Sequence, residues 1–319
     1  MSEPSPTAPA APQPSKGQVF LRRLLSTVIL WSVVLGAMFS GHKLISDTVF
    51  LVIMAGLAAV GLIEFYGLVE KRGLVCFKRE GVLGGLLLMV ATFVCFSGAV
   101  DWVRGHDAPA KANDFEASFL ILFVLGLCVR QFVARANTAG IVAISTTLFG
   151  LMYVPWLLNF IQKIYYFPRY AETGSGTFFV LYFILVTKMS DTGAYCVGSL
   201  IGRHKMIPRI SPGKTWEGFA GALLFSIGCS VLFAHFAGDK LGTKLYPAGI
   251  PLHHAVTLGL ILAVAAVVGD LIESLFKREA GVKDSGGMFP GIGGILDLLD
   301  SLLFNAPLMY LYLRHVLTN

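Results

Sequence analysis

Two pairs of carboxylates stand near the C-terminal end of this 319-residue chain, each pair spaced three residues apart: Asp270 with Glu273, and Asp297 with Asp300. On an α-helix, residues i and i+3 share a face, so each pair directs two carboxylates the same way. Clustered carboxylates repel one another unless a cation or a proton lies between them. Hard oxygen ligands suit Mg²⁺, which commonly binds one or two carboxylates together with substrate phosphates. The spacing therefore predicts a magnesium site.

A charged, glycine-rich segment joins the two pairs and carries the bases Lys277, Arg278 and Lys283. Its glycines are Gly286, Gly287, Gly291, Gly293 and Gly294. Bases neutralise phosphate oxygens, and glycines let the backbone approach a ligand closely. We expect a helix to begin after Gly294 and to attract an anion through its free N–H groups. Metal-binding acids and phosphate-binding bases together indicate a polyphosphate site.

Two further stretches fit the same chemistry. "SDTGAYCVGSLIGRHK" begins at Ser190 and places Asp191 within an apolar run, and "SPGKTWEG" begins at Ser211. We expect Ser211 to be the N-cap of a helix that presents Lys214 to the site, although Lys214 also suits a plain membrane-flanking anchor. The letters GKT resemble a Walker A motif, but Pro208 replaces its upstream glycine and no strand is expected before it, which argues against a P-loop.

The composition indicates the scaffold. The chain is 55% hydrophobic and 14% charged, with a mean hydropathy of +0.72, whereas soluble domains have about 25% charged residues. We expect an all-α polytopic membrane protein. A disordered tail over 1–16 precedes N-terminal helices over 17–175 and a catalytic region over 176–319. Nine apolar runs are long enough to span a bilayer: 22–40, 46–69, 82–100, 117–134, 139–161, 177–197, 216–236, 253–275 and 294–314.

The distribution of basic residues predicts the orientation. With the N-terminus in the cytoplasm and the C-terminus outside, roughly twice as many Lys and Arg residues lie on the inner side as on the outer side. The predicted site then faces the cytoplasm.

The acids divide into two groups. We expect Asp101, Asp107, Asp114 and Glu116 to form a solvated outer loop. Glu64 lies within a span, where it is expected to partner a base, to lie at the interface or to serve the site. The acids in the later spans form either structural ion pairs or a functional site, and we favour a site because buried charges are costly.

The stretch from Ser274 to Asp300 resembles the signature of the phosphatidate cytidylyltransferases, also called CDP-diacylglycerol synthases. The likeness covers roughly residues 185–305, including the "SDTGAYCVG" and "SPGKTWEG" stretches. The family signature reads here Ser274, Lys277, Arg278, Lys283, Asp284, Pro290, Gly293, Gly294, Asp297 and Asp300. Two positions depart from it, because Ile292 and Leu298 stand where the family usually has a His and an Arg. These departures indicate a variant subgroup.

The resemblance implies that CTP and phosphatidic acid react at a Mg²⁺ site, with one or two cations, to give CDP-diacylglycerol and pyrophosphate. It assigns metal binding to Asp270, Asp297 and Asp300, and catalytic roles to Ser274, Lys277, Asp297 and Asp300. The residues expected to bind or orient substrate are Asp191, Lys214, Arg278, Lys283 and Asp284. Arg278 is equally compatible with a membrane anchor.

The implied partners are these two substrates and the lipid bilayer, with no nucleic acid. Enzymes of this kind are often homodimers, although no stretch of the sequence specifies an interface. A bacterial inner membrane is favoured. The alternatives are a CTP-dependent lipid kinase, a cytidylyltransferase for another lipid phosphate and, outside enzymes of this class, an ion-coupled transporter.

Overall fold

The protein is mostly helical. The structure, a computed structural model, describes Gly36 and residues 42–97, 108–134, 139–168, 174–286 and 293–318. The helices are α1 (Lys43–Lys71), α2 (Lys78–Ser97), α3 (Ala108–Val133), α4 (Gly140–Leu151), α5 (Leu157–Tyr166), α6 (Gly176–Ile201), α7 (Trp216–Ala237), α8 (Leu252–Glu279) and α9 (Ile295–His315). A π-helical turn, Met152–Trp156, makes α4 and α5 continuous, and it contains Pro155.

Seven helices of the described part are long and apolar enough to cross a membrane: Ile45–Lys71, Lys78–Ser97, Lys111–Val133, Gly140–Tyr166, Trp216–Leu241, Leu252–Glu279 and Ile295–His315. Each coincides with a predicted span. The span predicted over 177–197 forms as α6, a 26-residue helix that carries Lys188 and Asp191 and is not among the seven. The span predicted over 22–40 lies outside the described residues, apart from Gly36. The count of nine and the orientation remain predictions.

Small residues allow close helix packing around the predicted site. A Cβ added to Gly193 of α6 would lie 2.5 Å from the carbonyl oxygen of Gly221 in α7. A Cβ on Gly269 of α8 would lie 2.6 Å from the carbonyl oxygen of Asp300 in α9. Because real Cβ atoms do not approach backbone so closely, glycine is needed at both crossings. The second crossing brings together the two helices that carry the paired acids.

The link between α6 and α7 is a β-hairpin, which the sequence analysis did not predict. Strand β1 (Lys205–Ile207) pairs antiparallel with β2 (Ser211–Thr215). The N–H of Trp216 donates to the carbonyl of His204 at 2.9 Å and closes the hairpin. The predicted N-cap at Ser211 is therefore wrong, because this residue is paired in a strand. Thr215 is the N-cap of α7, and its hydroxyl accepts from the Gly218 N–H at 3.1 Å.

The prediction of a solvated loop is also wrong for Glu116. Helix α3 begins at Ala108, so Glu116 lies about two turns inside it and is only 4% exposed. Its carboxylate pairs with the buried Lys163 of α5 at 2.6 Å and accepts from Asn159 at 2.8 Å. Asp114 is exposed as expected, but it lies in the same helix and not in a loop. Asp101 and Asp107 lie outside the described residues. The ion pair is tolerated inside the bundle because each charged group has hydrogen-bonding partners there.

Candidate functional site

Three carboxylates converge where α8 and α9 cross. One oxygen each of Asp270, Glu273 and Asp300 lies within 4.8 Å of the other two. Glu273 is fully buried and Asp300 is 9% exposed. Three oxygen donors at this spacing fit a hard divalent cation such as Mg²⁺, which also neutralises their mutual repulsion. Three of the four paired acids therefore form a cluster. Glu273 belongs to it, although it was not among the expected metal ligands.

Asp297, which the resemblance assigned to the metal, has other partners. Its Oδ1 accepts from Lys277 Nζ at 2.6 Å. Its Oδ2 accepts from the N–H of Gly294 at 2.7 Å and from the N–H and hydroxyl of Ser285 at 3.1 and 2.9 Å. Asp297 therefore caps α9 and forms an ion pair, while it still borders the same cavity as Asp300.

Lys277 lies between two acids on the inner side of this cluster. Its ammonium contacts Glu273 one turn earlier on α8 as well as Asp297, and its side chain is 12% exposed. One cation thus compensates two carboxylates, of which Glu273 is completely removed from water. Ser274 is buried beside them, and its hydroxyl donates to Asp270 Oδ1 at 3.3 Å. Both residues contact acids that line the cavity, although neither lines it.

The hairpin supplies a second lysine. Lys214 of β2 donates to Asp270 Oδ2 at 2.9 Å and to the carbonyl of Val267 at 3.0 Å. Lys214 lies in a strand and not at a helix start, and its side chain contacts α8 at Val267 and Asp270. Because Lys214 borders the cavity at the carboxylate cluster, it fits a phosphate-binding role better than that of a simple membrane-flanking anchor.

A third lysine, Lys188 of α6, was missed as a site residue. Its ammonium donates at 3.1 Å to both the carbonyl of Leu298 and the hydroxyl of Ser301, and lies 3.3 Å from Asp191. Asp191 accepts in turn from Ser301 at 3.2 Å. The available signal was a lysine within an apolar span, which is costly without a role. The Lys188 ammonium lies beside Leu298, the position at which the signature usually has an arginine.

These groups share one cavity of about 480 Å³, bounded by α6, the hairpin, α7, α8 and α9. Its ionisable lining residues are Lys188, Asp191, Lys214, Asp270, Asp297 and Asp300. The cavity therefore brings acids and lysines together, as a site for a metal-bound polyphosphate requires.

Aromatic rings close the bundle behind the acids. Tyr153, from the π-helical turn, packs against Phe276 of α8 and Phe304 of α9, with ring centroids 5.5 and 6.3 Å apart. Phe276 follows Glu273 by about one helical turn, and Phe304 follows Asp300 in the same way. An apolar wall lowers the local dielectric constant, which strengthens electrostatic interactions nearby. The N-terminal half of the chain contributes Tyr153 to this wall, and the signature alone does not indicate that contact.

Besides Ser274 and Lys277, three more predicted residues do not line the cavity. Arg278 is exposed and donates to the carbonyls of Ile210 and Val282, each at 3.3 Å, so it joins the end of α8 to the hairpin turn. Lys283 and Asp284 are exposed beyond the end of α8. Ile292 lies outside the described residues.

The start of α9 differs from the expected anion site. The N–H of Gly294 donates to Asp297, and the N–H of Leu296 donates to Glu64 of α1 at 2.8 Å. The prediction of free N–H groups is wrong at these two positions, because carboxylates of the chain already accept from them. These two N–H groups are therefore not free to bind an anion.

Fold and site together define a helical membrane protein with a partly buried carboxylate cluster, neighbouring lysines and a cavity that is lined by acids and lysines. The cytidylyltransferase family model matches residues 21–316. A phosphatidate cytidylyltransferase of Staphylococcus haemolyticus is 35% identical over 80% of this chain and 86% of its own length. That of Bacillus subtilis is 30% identical over 80% of this chain and 86% of its own, and that of Mycobacterium tuberculosis is 31% identical over 77% and 72%. The chain belongs to the cytidylyltransferase family.

Proposed function

We propose that the chain transfers the cytidylyl group of CTP to phosphatidic acid, giving CDP-diacylglycerol and pyrophosphate. The proposal is carried by one observation: Asp270, Glu273 and Asp300 form a carboxylate cluster, and two of these acids, Asp270 and Asp300, line a cavity together with Lys188 and Lys214. The family match and the names of the relatives supply the substrates. A lipid phosphate and a nucleoside triphosphate are both anionic, and Lys188 and Lys214 place positive charge beside them in this cavity.

The bond changes are simple. An oxygen of the lipid phosphate forms a bond to the α-phosphorus of CTP, and the bond from that phosphorus to the bridging oxygen of the β-phosphate breaks. The electron pair leaves with pyrophosphate. No protein base has to remove a proton, because a phosphate monoester is largely ionised at pH 7. Such transfers depend mainly on positioning and charge stabilisation.

The residues divide these tasks. Asp270, Glu273 and Asp300 would hold one Mg²⁺, and Asp297, which borders the cavity, would be available to a second cation. A bound divalent ion would supply positive charge to the phosphates. Lys214 binds phosphate oxygens when substrate displaces Asp270, and Lys188 does so when substrate displaces the carbonyl of Leu298. Lys277 and Ser274 hold the acids in position, and Asp191 orients Lys188.

The membrane arrangement belongs to the same proposal. In this proposal, residues 22–40 form a first span and α6 is also embedded, which makes nine spans. The protein lies in a bacterial inner membrane, with its N-terminus and the cavity on the cytoplasmic side. Labelling of single cysteines from either side of sealed vesicles tests this orientation. A homodimer remains a prediction, tested by light scattering in detergent against the 34.4 kDa mass of one chain.

The defining experiment supplies purified protein in detergent with CTP, Mg²⁺ and phosphatidic acid and identifies the lipid product. We expect CDP-diacylglycerol, with no product after chelation of Mg²⁺. CTP labelled at the α-phosphate should label the lipid. Label from the γ-phosphate in the lipid would instead indicate a kinase.

Variants then test the site. Asp300→Asn and Glu273→Gln should each lower kcat by about 100-fold or more, as expected when a transition-state charge loses its stabilisation. Asp297→Asn should also remove most activity, because it weakens the Lys277 pair. Asp239→Asn is the control, since Asp239 is exposed and remote from the cavity. Wild-type turnover by folded Asp300→Asn protein would show that the cluster does not serve the reaction.

A further inference from the structure

Glu64 joins the N-terminal half of the chain to the start of α9. It lies in α1 and is 8% exposed. Its Oε2 accepts from the N–H of Leu296 at 2.8 Å and lies 3.2 Å from the hydroxyl of Ser285. These partners are 232 and 221 positions away in sequence. Glu64 therefore contacts the signature segment on both sides of residues 287–292.

The glycines beside these contacts make room for the carboxylate. A Cβ on Gly286 or on Gly294 would collide with the carboxylate oxygens of Glu64. Both glycines are thus explained by close packing against an acid of another helix. The expectation that glycines in this segment serve a nucleotide does not account for these two positions.

Glu64 does not act as the partner of a base. Among the described residues, no lysine or arginine forms an ion pair with it. Its charge is instead stabilised by an N–H donor and by the positive end of the α9 dipole. This hydrogen bond fixes the start of α9 relative to α1, because a hydrogen bond requires a defined distance and angle between its donor and acceptor.

Ser285 links this acid to the site. Its hydroxyl lies 2.9 Å from Asp297 Oδ2 and 3.2 Å from Glu64 Oε2, and its single proton is donated to one carboxylate at a time. Asp297 in turn holds Lys277 at 2.6 Å. A chain of contacts therefore runs from α1 to the lysine that compensates Glu273.

We propose that Glu64 is a positioning residue for the reaction: it sets the start of α9, and with it Asp297 and Asp300, through its hydrogen-bond acceptor and not through direct contact with substrate. The catalytic part of this inference rests on the proposed function. The structural part, the fixing of residues 283–286 and 294–299, does not depend on the identity of the substrate.

The test compares Glu64→Gln with Glu64→Ala in the full-length protein. Gln retains an oxygen that can accept from Leu296, so it should keep kcat within a few-fold of wild type. Ala should lower kcat by about 10- to 100-fold, the usual cost of losing a group that orients metal-site residues, with an unchanged KM for CTP. Glu70→Gln is the matched control, because Glu70 lies on the same helix but is exposed and pairs with Lys78.

Hydrogen–deuterium exchange gives a readout apart from activity. Ala should speed amide exchange in peptides covering 283–286 and 294–299 and leave α6 and α7 as protected as in wild type. If Glu64→Ala does not fold, Gly286→Ala provides the same test, since its Cβ displaces the Glu64 carboxylate.

Two results would overturn the inference. If Gln is as inactive as Ala, the charge of Glu64 acts directly. If Ala and Gly286→Ala leave local exchange and kcat unchanged, Glu64 positions nothing. A wild-type protein that makes no CDP-diacylglycerol refutes the proposed function alone, because the exchange comparison still decides the role of Glu64.

Discussion

Replacing Lys277 with methionine should strongly destabilise the protein. The lysine is the shared partner of Glu273 and Asp297, whose side chains are 0% and 14% exposed. Methionine keeps much of the volume but leaves two carboxylates without their cation. Removing one partner of a buried ion pair costs about 3–5 kcal/mol, since the remaining charge stays buried.

A second substitution should recover most of this loss. In Lys277→Met/Glu273→Gln the fully buried charge is gone, while Asp297 keeps its hydrogen bonds from Gly294 and Ser285. A volume-conserving replacement without an unpaired charge usually costs less than about 1.5 kcal/mol. The double variant should therefore be more stable than Lys277→Met alone.

The assay is unfolding by SDS in mixed micelles, followed by tryptophan fluorescence. Lys283→Met is the control, because Lys283 is an exposed lysine of the same segment and should change stability by less than about 0.5 kcal/mol. The reasoning is refuted if Lys277→Met costs no more than this control, or if Glu273→Gln adds to the loss.

Two further predictions concern the scaffold. Lys163→Met should cost about 3–5 kcal/mol of stability, because it leaves Glu116 buried without its partner, and Lys163→Met/Glu116→Gln should cost much less. Turnover per folded molecule should stay at the wild-type level in both variants. Equal losses of stability in the single and double variants would count against a buried pair. Gly193→Val should lower the free energy of unfolding by at least about 1–3 kcal/mol, because its side chain meets the Gly221 carbonyl. Gly228→Val is the control, since no atom lies within 4 Å of a Cβ there, and similar losses in the two variants would refute the close crossing.

The sequence alone determined the membrane class, the approximate limits of seven spans and the presence of an acid-and-lysine site. These conclusions depend on local patterns: apolar runs set span length, and i, i+3 spacing places acids such as Asp270 and Glu273 on one face. The family signature lies within one continuous stretch, so it could be recognised without a fold.

Only the tertiary structure decided which groups meet. The carboxylate cluster contains Glu273 and not Asp297, which pairs with Lys277 instead. The packing of α8 against α9 determines which oxygens converge. The β-hairpin that carries Lys214 depends on pairing between strands, which no helical period reveals. Glu64 reaches Leu296 from 232 positions away. Contacts at such separations depend on how the helices pack, so the sequence could name the chemistry of the site but not its partners.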